Sequence, residues 1–579
     1  MINMDTITNG FLKDFVDSKN YTHFDISTQF EYFINFCVIN KEYDSISFDE
    51  KEISTGKSTQ GIDGIGIIVN NKLCNSVSEI KQLVELNRFL TVTFVIIQSK
   101  TSPKFDGSQI DNLLRWTKTY FSESPDLFVT NEMRNFIEMK EYIYSNSRFM
   151  KERSPICNLY FCSTGKWTDD PNLLSIIDSN RRELDNLNLF DTINFYPCDA
   201  KQIQFLYRKT KEPVEATIKF EKKVTIPSIP EIKVAYSGML PFLEFKKIII
   251  DDSGKMKSVF DDNIRDYLEQ ENNPVNRDIS ETLKNGDLDQ FCILNNGVTI
   301  VAEEISGPGD TITIINYQIV NGCQTSNVLY ENRNLPNINA MHVPIKIIVT
   351  DNYNIKSQIT RATNNQTAVD SVELEALSEF QKSLEYYYYS LPTDDLKLYY
   401  ERRTNQYKSN DDVTLNRIIN RENQIKTLSA MFLDNPHNVA GNYGRLVSKI
   451  GEEIFNKDHE FITYYVSSLS YFKLENLLNR NLLSENSKRF RYQILMIFRF
   501  MVTKSDAPNL KDKGRINKIC NQIIEVLKDE DLTLSIFKES SDFLESEELN
   551  LNFKDRKTVE RKDTTELIIE KLKFKYLRT

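Results

Sequence analysis

At 579 residues, with 40% hydrophobic and 27% charged content, the chain is too long for one core and too apolar to be disordered, so two to four globular domains are expected. Its formal charge of −11 argues against a whole-surface polyanion binder, although Lys554 to Arg578 carries nine basic residues against five acidic. Eight scattered cysteines without a CxxC pair, and only four histidines, speak against a zinc site, a disulfide framework and a His-driven triad hydrolase.

In chain order, a helix is predicted over Ser27 to Ile39. Residues 62–69 alternate and then run apolar through Ile65, Ile67, Ile68 and Val69, and Asn70-Asn71 supplies residues that tolerate positive φ in a hairpin turn. A second β-branched and aromatic run, Val92 to Ile97, reads as a buried central strand. Side chains two apart on a strand share a face, so Gln98 and Lys100 can both face Asp63 at the matching end of the first strand. The trio suits hydrolysis of a phosphodiester with bound Mg²⁺ or Mn²⁺: Asp63 and the Gln98 carbonyl offer oxygens, and Lys100 orients water and offsets charge at phosphorus. A hard octahedral ion keeps several waters, so few protein ligands suffice. Helices then follow at 108–122 and 130–148, a strand at Asn158 to Cys162, a helix at 171–187, a strand at Asp191 to Tyr196 and a helix at Lys201 to Lys209, which together describe a sheet covered by helices. Arg115 and Lys118 are candidate phosphate contacts, with a solvated helix face the favoured reading for both.

The order of a helix with Glu, a strand with Asp63 and a strand ending Gln98-Ser99-Lys100 resembles the PD-(D/E)xK nucleases, and specifically the Mrr-like branch in which Gln replaces the second acid. Gly61-Ile62-Asp63-Gly64 is similar to the GxD-type strand of that branch. The resemblance implies an α/β restriction-endonuclease-like domain over residues 1–209 and a metal site completed by a Glu on the first helix. The matching position is Glu31, in Phe30-Glu31-Tyr32-Phe33.

Thr210 to Pro230 has three prolines and mixed charge, so 210–231 reads as a linker or an edge strand. Residues 232–370 have a mixed α+β pattern, whose clearest element is a hairpin from Gly297 to Ser306, a turn at Gly307-Pro308-Gly309-Asp310, and Thr311 to Val320. From 371 to 579 the pattern is all-α, with long amphipathic stretches such as Val372 to Ser390 and Lys473 to Lys504, and Tyr386 to Tyr389 reads as packing. Asn295-Asn296-Gly297 and Asn321-Gly322-Cys323-Gln324-Thr325 concentrate amides, glycines and hydroxyls at two strand ends. A Gly opening a helix leaves free backbone N–H groups, which suits an anion.

The segments Asp262 to Leu268, Val275-Asn276, NNGVTIVAEE, QIVNGCQTSNVLY, Ile359 to Thr367 and Tyr399 to Arg403 recur in the order found in the AIPR family, abortive-infection phage-resistance proteins of bacteria, which this stretch resembles. The resemblance implies phage defence and makes 232–370 a central AIPR domain. NGCQT is similar to the D/N-G-x-Q motif of ParB-like proteins, but Thr325 stands where an Arg would hold phosphate, and Arg265, Arg361, Arg402 and Arg403 are candidates to supply that charge. Nucleotide or nucleic-acid binding there and a structural amide network both stay open.

Two functions remain in view. One is a Mg²⁺- or Mn²⁺-dependent endonuclease, a homodimer if both strands of DNA are cut, acting on DNA or RNA after a phage-derived trigger. The other is a sensor or adaptor in which a degenerate nuclease fold binds nucleic acid or a phage protein; Gln98 in place of an acid keeps it alive. No window approaches eighteen uninterrupted apolar residues and the N-terminal stretch has no leader pattern, so a cytoplasmic protein without a membrane partner is expected. There is no GxxxxGK[ST] run, which excludes a P-loop NTPase.

Overall fold

In the computed structural model the apolar run after Asp63 forms strand β1 (Gly64–Val69), buried along its whole length. The structure describes all residues except 1–3, 57–60, 123–130, 151–154, 252–253, 255, 258, 261–279, 285–287, 296, 353–354, 357–358, 360–370, 393–394, 411, 554 and 578–579. Asn70 and Asn71 take φ values of 48° and 62° and turn the chain into β2 (Lys72–Cys74), which pairs antiparallel with β1. On the other side of β1 lies β3 (Val92–Lys100), also antiparallel, followed in parallel by β4 (Ile156–Ser163) and β5 (Thr192–Cys198), giving the order β2-β1-β3-β4-β5. Parallel neighbours need long crossovers, and these are supplied by α4 (Gly107–Phe121) and α5 (Asn131–Ser145) between β3 and β4, and by α6 (Pro171–Asp185) between β4 and β5. Strand β3 runs three residues past the predicted end at Ile97, so Gln98 and Lys100 belong to the strand itself.

Helix α2 (Ile26–Tyr43) begins at Asp25, whose carboxylate accepts from the Ser27 and Thr28 amides. It lies close on β1, because a Cβ at Gly64 would meet Asn35 Oδ1 at 2.4 Å and one at Gly66 would meet Ile39 Cδ1 at 2.4 Å. Asn35 and Ile39 are one turn apart, so the helix follows the strand with one face against it. Helices α1 (Thr6–Lys19) and α3 (Val77–Asn87) were not legible in the hydrophobic pattern, and α7 (Ala200–Lys209) completes the layer.

The chain divides into two compact units. One holds Met1–Thr210, Glu375–Arg402 and Asn410–Thr579; the other holds Lys211–Leu374 and Arg403–Ser409. In the first, a short parallel pair, Tyr399–Glu401 with Ile418–Asn420, interrupts an otherwise helical region. The helices Arg421–Phe432, Phe461–Asn479 and Arg491–Thr503 bury residues on nearly every side, as central helices of a bundle do. Their polar side chains satisfy one another: Gln424 Nε2 donates to the Tyr464 carbonyl at 2.9 Å, and the Thr427 and Ser467 hydroxyls meet at 3.2 Å. Within Tyr386 to Tyr389, Tyr388 is buried and its hydroxyl donates to Gln424 Oε1 at 2.7 Å.

In the second unit the proline-containing stretch 210–231 contributes two strands, β6 (Glu215–Lys219) and β7 (Lys222–Thr225). Strand β7 edges a five-stranded sheet of order β12-β9-β13-β8-β7, built with β8 (Val234–Pro241), β9 (Val298–Ala302), β12 (Gln318–Asn321) and β13 (His342–Val349). Strand β6 edges a second sheet with β10 (Glu304–Ser306) and β11 (Thr311–Ile315). The predicted hairpin is therefore present, but it is shared between two sheets: Glu304 to Ser306 pairs with Thr313 to Ile315 in one, and Thr299 to Val301 with Gln318 to Asn321 in the other. Helix α8 (Phe242–Ile249) packs its apolar face, Phe242, Phe245, Ile248 and Ile249, into the core of this unit.

Candidate active site

Antiparallel pairing of Gly64 with Ile97 puts Asp63 beside the end of β3, and the Asp63 amide donates to the Ile97 carbonyl at 2.8 Å. The Asp63 carboxylate then turns towards β3. Its Oδ2 accepts from the Ser99 amide at 2.7 Å and from the Ser99 hydroxyl at 3.1 Å, and lies 3.9 Å from Lys100 Nζ. Both side chains keep some exposure, 28% for Lys100 and 20% for Asp63, so the pair sits at a solvent-facing edge. Gln98, by contrast, is buried at 2%. Oriented to satisfy its neighbours, its amide donates to the Gln109 carbonyl on α4 at 3.0 Å and turns its oxygen to Lys100 Nζ at 3.3 Å. Asp63, Gln98 and Lys100 are thus brought together as strand alternation predicts.

Glu31 is linked to the Asp63 backbone through the segment Ser54-Thr55. It lies on α2 one turn before Asn35, the residue packed on Gly64, and is half-buried. The Ser54 hydroxyl donates to Glu31 Oε1 at 2.5 Å, and Ser54 itself bridges to Gly64. The next residue, Thr55, donates its amide to the Asp63 carbonyl at 3.2 Å and its hydroxyl to the Ile62 carbonyl at 2.5 Å. Consecutive residues of one segment therefore hold the Glu31 side chain and the backbone on which Asp63 is mounted. Ser54, Thr55 and Ser99 are the residues that sequence reasoning missed; only Ser99, between Gln98 and Lys100, carried any signal.

The donor set is all oxygen, two carboxylates and an amide, which is the chemistry of a hard cation. Asp63 Oδ1 takes no hydrogen bond from the described residues, whereas Oδ2 is anchored. Among the described residues there is no group of three or more His, Cys, Asp or Glu side chains placed to hold a metal ion. Arg115 and Lys118 behave as a solvated helix face: Lys118 pairs with Glu183 at 2.6 Å and Arg115 donates to Asn112 Oδ1 at 2.6 Å.

In the second unit the two Asn-Gly segments meet. Gly322, at φ 95°, has no room for a Cβ, which would lie 2.8 Å from the Gly297 carbonyl oxygen and 2.8 Å from Val298. A bulge in the β9–β12 pairing between Ile319 and Asn321 precedes it, and the helix Cys323–Glu331 opens at Gly322 without a side-chain cap. Gln324 and Thr325 lie in the first turn of that helix, and the Ser326 hydroxyl donates back to the Gly322 carbonyl at 2.8 Å. Arg403 Nη1 donates to Gln318 Oε1 at 2.5 Å within this unit. Arg402 belongs to the other unit, where it pairs with the buried Glu385 at 2.8 Å. Asn296, Arg265 and Arg361 lie outside the described residues, as do the segments Asp262 to Leu268 and Val275-Asn276 and residues 360–367.

No described helix is long and apolar enough to cross a membrane. No curated protein and no solved structure matches the chain. The model of one family, described as AIPR protein, matches residues 260–545, a stretch that includes both Asn-Gly segments and Tyr399 to Arg403 and begins well after Lys100. Over residues 260–545 this chain is thus similar to the AIPR family.

Proposed function

We propose that the chain is a metal-dependent endonuclease of anti-phage defence, hydrolysing phosphodiester bonds of DNA or RNA after a phage-derived trigger. The AIPR family suggests the abortive-infection role. The nuclease reading is carried by one observation: Lys100 Nζ stands 3.9 Å from Asp63 and 3.3 Å from the Gln98 amide oxygen at the shared end of β1 and β3. An antiparallel β2-β1-β3 portion continued by parallel β4 and β5 supports a restriction-endonuclease-like fold of the Mrr-like kind. The residues fit a Mg²⁺ or Mn²⁺ ion, which Asp63, Glu31 and the Gln98 oxygen would hold and which, when bound, supplies Lewis-acid polarisation of the phosphate and a lowered water pKa. Ser99 fixes the Asp63 carboxylate through two hydrogen bonds, so its orientation is set before substrate arrives. Lys100, partly exposed and tethered by Asp63 and Gln98, offsets negative charge growing on the phosphoryl oxygens.

Purified protein would be incubated with plasmid DNA and with total RNA, each with Mg²⁺ or Mn²⁺, alongside Lys100→Ala. Cleavage by the wild type and not by the variant supports the reading and names the substrate. A second reading, a binding-only adaptor with a degenerate nuclease fold, is favoured by the absence of any three-membered acidic, His or Cys cluster among the described residues. Divalent-metal binding that disappears in Asp63→Ala would rule the adaptor out.

A further inference from the structure

The segment that holds Glu31 and Asp63 is itself held from the helical region of the same unit. Residues 49–52 are Asp-Glu-Lys-Glu, a run that composition alone would leave in water. Instead Glu50 is fully buried against Lys19 at 2.9 Å, and Lys51 reaches the helix Phe461–Asn479, where it bonds Glu475 at 3.0 Å and Asn479 Oδ1 at 3.2 Å. Glu475 also meets Arg491 at 3.3 Å, at the start of the next long helix. Burial disfavours the Lys51 ammonium, but the Asp49 and Glu475 carboxylates outweigh it and the group stays charged. Three residues beyond Lys51 stands Ser54, with its hydrogen bond to Glu31, and then Thr55, with its two bonds to Asp63 and Ile62.

A chain of short contacts therefore runs from Glu475 through Lys51 and Ser54-Thr55 to the Glu31 carboxylate and the Asp63 backbone. A partly buried ion pair of this kind adds little net stability, and the best-attested use of such pairs is to fix a register. On these grounds, and resting on the nuclease reading above, we propose that Lys51 is a positioning residue for Glu31 and Asp63, through which the helical region sets the geometry of the metal site.

The test is amide hydrogen exchange on the full chain. The Thr55 amide, bonded to the Asp63 carbonyl, and the Ile65 amide, bonded to the Ile53 carbonyl at 2.9 Å, report on this segment directly. In Lys51→Met they should exchange about ten-fold faster while amides between β3 and β4 are unchanged, and Lys51→Arg should restore them. Uniform acceleration, which a merely structural role would give, or no change, would overturn the proposal. Should Lys51→Met lose its circular-dichroism signal, Asn479→Ala, which removes one bond to Lys51, carries the same expectation. Mn²⁺ titration separates the two readings: affinity weakened about ten-fold in Lys51→Met, with cleavage retained at saturating Mn²⁺, supports positioning of the site. Selective exchange with no Asp63-dependent Mn²⁺ binding in the wild type would keep the linkage and sink the nuclease.

Discussion

The end of β1 and β3 and the meeting point of the Asn-Gly segments are built from different material. At the first, the side chains of Asp63, Gln98 and Lys100 converge from the β1 edge and β3, with Glu31 of α2 tied to the adjoining segment through Ser54. At the second, the close approach is of backbone to backbone, Gly322 against the Gly297 carbonyl, and the groups on offer are the amides of an uncapped helix start. A site of side chains can lose its chemistry and keep its fold, whereas one of backbone cannot. Substitutions should therefore have opposite signatures in the two places.

The largest expected effect is Asp63→Ala, which should cut divalent-metal-dependent cleavage by about a hundred-fold or more while the melting temperature stays within a few degrees; calorimetry beside a plasmid assay checks both. If activity and stability fell together, the contrast would break. Next is Gly322→Ala, where strain at φ 95° and a Cβ 2.8 Å from the Gly297 oxygen should cost about 1–3 kcal/mol, read by urea unfolding of the second unit, with the first unit's metal binding untouched. Acid should separate the regions further. Burial raises the Glu475 and Glu422 carboxyls, but Arg491 and Lys51 in one case, and Lys426 and Lys72 in the other, draw both down to about 2. Their folded values lie below the ordinary 4.5, so the stability they contribute is present above pH 4.5 and lost as pH falls towards 2. Thermal melts from pH 6 to pH 2 should show a loss that Glu475→Gln makes smaller. The smallest effect is Glu52→Gln. Burial pushes the Glu52 carboxyl up to about 7, so above that pH its charge destabilises the fold. The variant should melt about 2–4 °C higher at pH 8 and no higher at pH 5.

What could be read from the chain follows the range of the interactions involved. Strands β1 and β3 announce themselves by runs of Ile and Val, and once they pair, two-residue alternation suffices to bring Gln98, Lys100 and Asp63 together. The stretch 210–231 was legible only as linker or edge, because Pro213 and Pro227 bracket two short strands whose partners come later in the chain. The hairpin from Gly297 to Val320 could not be seen to divide, since one residue, Glu303, separates the two sheets that share it. Helix α1 was hidden because Gly10 and three threonines and serines dilute its apolar face, Leu12, Phe15 and Val16. Nothing local to Asp49-Glu50-Lys51-Glu52 distinguishes it from a solvated loop, and its burial depends on Lys19, Glu475 and Asn479.

Lys51 and Glu475 are 424 positions apart. At a synthesis rate of about 5–20 residues per second, roughly 20–80 seconds pass between the two leaving the ribosome. During that interval β1 to β5 can form, yet the segment beside Asp63 has no helix Phe461–Asn479 to settle on. The segment beside Asp63 thus gains its Glu475 and Asn479 partners only when most of the chain has been made, so the surroundings of the candidate site are completed late in synthesis.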